Sequence, residues 1–563
     1  MRFSRRNFLQ QASAFGVAWS AGHAFAQQMN HGQMPMPGKP AGQAAKPPAN
    51  ADLPMMHTLA LPSFVDALPF PETLRGIRDP KTSLTKMRLA MREVRFKVHR
   101  DMQPTRMWTY GTGTSASGAL APLIDVRSHQ TLQVEWVNEL PAQHFLPIDY
   151  SLHGSGHDVP DVRAVAHLHG ARAPSKDDGY PEDWFVPGKS RICTYPMEQA
   201  AAALWYHDHA MSINRLNIYA GMFGAMLIRD NDEDALDLPS GKYEIPLILY
   251  DRNFTTDSQL FYGTSGIHDR PWVPEFPGDA ILINGKLTPY FEVEPRLYRF
   301  RLFNTANSSF FRLSVGLPGS TPTKPHLMPV HQIGSDQGLL ASPVEMTYLS
   351  LAPAERIDLL VDFSGVAGET VHLRHAADNI LQFRVAKSAV QSSAKGKTTF
   401  VQVPKTLRAI ERIPESSAIT TRTITLHEYM DLQGRSMLML LNRKHWHEPV
   451  TETPRLNTTE IWEFVNLTED THPMHLHLVR FQILDRREFD VFAFQNKKGT
   501  HYTGPAIPPD PHELGWKDVV QCPAGMITRI IVRFEGYTGK YLYHCHILEH
   551  EANDMMRPFE VIA

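Results

Sequence analysis

Near its C-terminal end the chain reads YHCHILEHEANDMM, residues 543–556. One of only three cysteines, Cys545, stands between His544 and His546, with His550, Met555 and Met556 close behind. Imidazole, thiolate and thioether are all metal ligands. Two imidazoles, one thiolate and a weak axial thioether make a blue-copper electron-transfer site. In a strand, successive side chains face opposite ways. His544 and His546 then share one face and Cys545 takes the other. A single strand can serve two metal sites and join them through a few covalent bonds, so Cys545 is both ligand and conductor.

The same spacing recurs at His167/His169, His207/His209 and His475/His477. Four pairs give eight imidazoles, more than a zinc site of three or four ligands calls for, and imidazole-rich clusters suit copper among other metals. One His-x-His pair alone is ordinarily two surface or core histidines. Here the pairs come in matched copies: HLHG at 167–170 and LWYHDH at 204–209 answer HLHL at 475–478 and YLYHCH at 541–546. The first and last thirds of the chain therefore read as copies of one unit. In the first copy Asp208 stands where Cys545 stands in the second, so that copy lacks the blue site. His472 lies an odd number of residues before His475, off the parity of that pair, and Pro473 disrupts the strand locally.

The elements that must carry these residues are strands. Short β-branched and aromatic runs (TLQVEWVNEL, YRFRLFNTA, RIDLLVDFSG, TRIIVRFEG) alternate with Gly, Pro and Asp turns, and the chain has 43 prolines. This is an all-β pattern. The 563 residues, 42% hydrophobic and 20% charged, suffice for several cores. A net charge of −3 gives no electrostatic case for nucleic acid or an anionic membrane. We expect sandwich domains at 57–235, 236–388 and 421–563, with a charged, Ser-rich linker at 389–420. The middle domain has histidines but no His-x-His pair, and reads as a spacer without metal ligands.

Arg5 and Arg6 in SRRNFLQ precede a weakly apolar stretch and the small-residue site Ala24-Phe25-Ala26. Residues 1–26 read as a twin-arginine export signal cut after Ala26. Residues 27–56 read as a disordered Met/Pro-rich arm. No later segment approaches the roughly 18 unbroken apolar residues of a membrane span. The expected location is the periplasm, where disulfides are permissible. Cys193 and Cys522 could pair there or remain two buried thiols.

These motifs resemble the multicopper oxidases. HPMHLH and HCHILEHEANDMM look like that family's two most diagnostic copper motifs, and HLHG and WYHDH like the other two. The likeness runs from about residue 57 to the end. Stretches such as DDGYPEDWF, AILINGKLTPYFEVEPRLYRFR, WHEPVTETP and YTGPAIPP look closest to the bacterial spore-coat laccase and bilirubin oxidase branch.

The resemblance implies three cupredoxin-like Greek-key β-sandwich domains and four copper ions. The type 1 copper would take His472, Cys545 and His550, with Met555 axial because the family's axial residue lies ten beyond the cysteine. The type 2 copper would take His167 and His475. The paired type 3 coppers would take His169, His207, His209, His477, His544 and His546. Asp178 and Glu551 match positions that supply protons while O2 is reduced. The implied activity is one-electron oxidation of phenols, aminophenols, bilirubin or azine dyes, coupled to reduction of O2 to water. Expected partners are a small aromatic reductant, O2 and the twin-arginine export machinery, for a monomer.

One departure from the laccase pattern is methionine: Met437 and Met439 in GRSMLMLLN, and Met29, Met34 and Met36 with His31 in the arm. Soft thioethers favour Cu(I), which raises the alternative of a cuprous or manganese oxidase serving copper tolerance. The same residues also fit a core strand and a flexible arm. A third reading, a protein that only sequesters copper, has no need of Cys545 or of its place in the strand.

Overall fold

The computed structural model describes residues 53–112, 120–267, 270–321, 323–388 and 402–563. The export signal, Met29, Met34 and Met36 of the arm and residues 389–401 of the expected linker lie outside them. Of the described residues, 44% are in strands and 8% in helices. Among the described residues the strands form three successive pairs of sheets: within 73–229, within 244–385 and within 418–561. The strand Ala418–Met430 begins inside the stretch expected to be linker. Its β-branched run AITTRTITL favours extended backbone from the first residue.

Two small parts of this architecture position the chemistry. In the first pair of sheets, Ala166–His169 is the edge strand and pairs antiparallel with Ala202–Asp208, setting His167 opposite His207 and Ala166 opposite Asp208. In the third pair, His472–Leu476 and Gly539–Cys545 are the two central strands of a four-stranded sheet flanked by Val519–Cys522 and Met556–Val561. There His475 lies opposite His544 and Met474 opposite Cys545. The register of the two copies is the same, so the repeat seen in sequence is also a repeat of geometry.

The strand Gly539–Cys545 is buried on both faces along its second half, which is why its sequence does not alternate. One face meets the first domain and the other the core of its own domain, where Cys545 packs with Met474, Met555 and Trp462. Three of the four His-x-His pairs outrun their strands: His209, His477 and His546 lie one residue past the ends. Their N–H groups still donate to Val165, Leu542 and Pro473 carbonyls at 2.9, 2.9 and 2.7 Å. That extended backbone keeps both rings of each pair on one side. Cys193 and Cys522 are both buried free thiols.

Candidate metal centres

Beyond Cys545 the chain turns into the short helix Leu548–Glu551, which brings His550 back to the cysteine side. Cys545 Sγ lies 3.5 Å from His472 Nδ1 and 3.7 Å from His550 Nδ1, and the two nitrogens are 3.2 Å apart. His472 Nε2 pairs with Thr468 Oγ1 at 2.7 Å, leaving Nδ1 to the cysteine side. Burial holds His472 down at about 3 and His550 well below the usual range, so both are neutral imidazoles, the form that ligates. Burial also pushes the Cys545 thiol far up, against the Ile547 N–H that donates to Sγ at 3.4 Å. Such a thiol yields its proton at neutral pH only to a metal ion. Met555 shares the core of Cys545, whereas Met556 pairs with His544 in the ladder and packs against Met211, Trp446 and Leu542. Alternation along the strand separates the two methionines.

All eight paired histidines are buried at the seam between the first and third sandwiches. His169 stacks on His475 at 3.7 Å between ring centroids, and His167 on His477 at 3.9 Å, each stack crossing the seam. His167 Nδ1 donates to the Asp178 carbonyl at 2.5 Å, His475 Nδ1 to the Asp518 carbonyl at 2.7 Å, and His207 Nδ1 to the Asp208 carbonyl at 2.9 Å. The Nε2 atoms of these three rings have no hydrogen-bond partner in the protein, nor has His169 Nδ1, nor either nitrogen of His209 or His546, although His209 Nδ1 lies 3.6 Å from Glu551 Oε1. His477 Nε2 and His544 Nε2 face each other at 3.3 Å. Buried polar atoms are almost always partnered, and so many orphaned nitrogens converging on one place fit bound metal. Triads such as His167/His475/His477, His167/His169/His207 and His209/His477/His544 bring their donor atoms within 4.8 Å. The triads overlap, so they define one cluster without dividing it between ions. The donor set, all imidazole here and imidazole with thiolate at Cys545, is one copper accepts at both places.

Both expected carboxylates reach this cluster. Asp178 Oδ2 accepts from His477 Nδ1 at 2.7 Å, while Oδ1 has no partner. Glu551 Oε2 lies 3.2 Å from His544 Nδ1, and Oε1 accepts from Asn214 Nδ2 at 2.5 Å. Their environments separate them. Burial pushes the Asp178 carboxyl well above the carboxylate range. Burial acts on Glu551 too, but His544 and His209 outweigh it and hold that carboxyl at about 2. Asn214 and Asp518 escaped the sequence reading, because neither stands in a motif and each reaches the cluster only through long-range packing.

A cavity of about 880 Å³ opens beside the His550 helix, lined in part by Trp272, Glu428, Met437 and Asn553. Trp272 Nε1 donates to the Glu549 carbonyl at 2.9 Å, and Asn553 Nδ2 to the Met437 carbonyl at 3.2 Å, tying the cavity wall to the turn that bears His550. Met439, two residues on, is wholly buried in the core.

Residues 159–233 and 418–563 each match a family model described as multicopper oxidase. The chain is 43% identical over 531 residues to a laccase of Bacillus subtilis (strain 168), covering 89% of this chain and 99% of that protein. It is 42% identical over 535 residues to a laccase of Bacillus stratosphericus, with 89% and 99% covered. Among solved structures, the McoA multicopper oxidase of the hyperthermophile Aquifex aeolicus superposes with a TM-score of 0.71 at 27% identity, covering 89% of this chain and all of that one. The three sheet pairs are accordingly cupredoxin-like.

Proposed function

The chain belongs to the multicopper oxidases and is laccase-like, and from that premise we propose that it oxidises aromatic donors one electron at a time beside His550. Phenols and aminophenols are the central donors, with bilirubin the bulky end of the range. The observation that carries this reading is the Gly539–Cys545 strand, where Cys545 faces His472 and His550 while its neighbours His544 and His546 face the eight-histidine cluster.

On this reading His472, Cys545, His550 and Met555 would hold the type 1 copper. His167 and His475 would hold the type 2 copper, and His169, His207, His209, His477, His544 and His546 the type 3 pair. When bound, the coppers supply one-electron exchange at the first place and four-electron reduction of O2 to water at the second. The protein supplies the rest. Cys545 links the two sites through its own backbone and those of its two neighbours. Asp178 stores a proton within reach of His477, and Glu551 accepts and passes one beside His544 and His209. The burial of both sites excludes bulk water. The test is O2 uptake by copper-loaded protein with a phenolic donor; no uptake by fully loaded protein sinks the reading. The N-terminal segment supports export to the periplasm through the twin-arginine route, and a mature protein beginning at Gln27 would bear that out.

Two consequences concern the first site. Met555→Leu should keep the blue absorption and raise the reduction potential, because a thioether would donate weakly to the metal. Met556→Leu, on the other side of the strand, should leave the potential in place. Redox titration of the blue band reads both, and the opposite pattern would mean that the wrong methionine was assigned.

A second reading, oxidation of Cu(I) or Mn(II), draws support from carboxylates around the donor cavity. Glu275 follows the cavity residue Pro274, and Asp470 lies two residues before His472. Although Glu275 is exposed on its outer side, surrounding protein and the charges of Asp470, Glu549 and Glu428 push its carboxyl up to about 7. It is neutral below that pH and ionised above it. Arg270 and Arg435 also line the cavity. The KM of a permanently cationic aromatic donor should therefore fall about fivefold as pH rises through 7, an interaction of roughly 1 kcal/mol. An uncharged donor of similar size should show no such step, and Glu275→Gln should abolish it. If turnover of Cu(I) exceeds that of every aromatic donor and collapses in Glu275→Gln, the metal is the substrate.

A further inference from the structure

Five charged side chains, Asp336, Glu355, Arg356, Lys517 and Asp518, are buried together where the middle domain meets the third. Arg356 forks onto Asp518, Nη1 to Oδ1 at 2.6 Å and Nη2 to Oδ2 at 2.5 Å. Lys517 Nζ lies 3.0 Å from both Asp336 Oδ2 and Glu355 Oε1. Desolvating such groups costs several kcal/mol per ion, and apolar side chains of the same volume often hold an interface as well or better. A network this deep calls for a use other than adhesion.

Asp518 points that network at the histidine cluster. Its carbonyl accepts from His475 Nδ1 at 2.7 Å, and its carboxylate Oδ1 from His169 Nε2 at 3.2 Å. Asp178 does the same with the domains exchanged: its carbonyl accepts from His167 Nδ1 at 2.5 Å and its carboxylate from His477 Nδ1 at 2.7 Å. Each aspartate grips the first histidine of its own domain's pair through the main chain and the second histidine of the other domain's pair through the side chain.

What stands behind the two carboxylates differs. Asp178 Oδ1 has no partner. Asp518 is held by the Arg356 fork and by Gln337 Nε2, which donates to Oδ2 at 2.6 Å. Arg356 Nε also donates to the Ala203 carbonyl of the first domain at 2.9 Å. Gly170 lets the strand end come this close: a Cβ there would stand 2.6 Å from Asp518 Oδ2 and 2.7 Å from Gln337 Nε2. With Nε2 engaged by Asp518, His169 offers Nδ1 to the cluster, where His167, His207 and His475 offer Nε2.

We propose that Asp518, held by Arg356 and Gln337, is the positioning residue for His169 and His475. Through the fork the middle domain, which contributes no ligand, fixes the Asp518 main chain whose carbonyl holds His475, and so sets occupancy of the copper that His475 would share with His167. The proposal rests on the reading of the cluster as a copper site. Asp518→Asn should lose about one copper per chain and most of the normal, non-blue copper signal in electron paramagnetic resonance, with the blue absorption unchanged. Arg356→Lys, which keeps the charge but not the fork, should lose part of that signal. It also decides the matter should Asp518→Asn fail to fold. Glu355→Gln, in the same buried network but on Lys517 rather than Asp518, should keep its full copper. Full copper and an unaltered signal in the variants of Asp518 and Arg356, or equal loss in Glu355→Gln, would overturn the proposal. Wild-type protein lacking either copper signal would instead overturn the reading of the sites.

Discussion

Cys545→Ser will yield a protein that keeps copper in the eight-histidine cluster but has no blue absorption and no measurable oxidation of aromatic donors. Turnover should fall by at least about three orders of magnitude, on the order of 4 kcal/mol or more in the barrier. A serine hydroxyl preserves shape and strand pairing, so the cluster's histidines keep their places, while the only thiol facing His472 and His550 is gone. With it goes the sulfur by which residue 545, joined through the backbone to His544 and His546, would meet a metal held by those two imidazoles. Metal analysis, visible absorption and O2 uptake on one preparation measure all three quantities. Loss of all copper would show that the two sites are not separable.

Glu551→Gln and Asp178→Asn should each slow the return of blue colour on admitting O2 by about a hundredfold or more, the lower range for losing a positioned acid or base. Anaerobic bleaching by donor should remain as fast as in the parent protein. Reduction of O2 to water takes up protons at a place whose imidazoles would be committed as ligands, and these two carboxyls reach His477, His544 and His209. Burial pushes the Asp178 carboxyl toward its protonated form, so its contribution should decline as pH rises through its elevated value. The Asn variant should show no such decline. Glu551, held low, is ionised throughout and receives protons rather than storing them. Stopped-flow traces of the two half-reactions separate the outcomes, and slowed bleaching would move these residues to the donor side.

Much of this site was readable because a period of two is a strong rule. Two imidazoles separated by one residue share a face whether the strand is an edge, like Ala166–His169, or central, like Gly539–Cys545. The rule survived even where the strand stopped short, since hydrogen bonds from His209, His477 and His546 to neighbouring carbonyls maintain extended backbone. It does not separate Met437 from Met439, which share a face: Met437 stands at the half-buried start of the strand Ser436–Leu441 and lines the cavity, while Met439 lies further along in the core. Asp518 and Arg356 were not readable. Lys517-Asp518-Val519 looks like any charged strand entrance, and its meaning depends on a guanidinium 162 residues away. The start of the third domain at Ala418 was missed for a local reason, because a charged, Ser-rich neighbourhood masked the β-branched run that begins there.

The eight imidazoles are divided evenly, four from residues 167–209 and four from residues 475–546. Neither terminal domain alone can assemble the cluster. Ligation and closure of the seam are therefore one thermodynamic event. An ion that binds only the closed arrangement stabilises it by RT ln(1 + [L]/Kd), about 2.7 kcal/mol at a hundredfold excess over Kd. That increment falls on the contact between the first and third domains rather than on the hydrophobic cores of the sandwiches. Withdrawal of metal loosens the contact first, while each sandwich keeps its own buried strands. The polypeptide is in this sense a clasp whose grip is set by the free concentration of the ion it encloses.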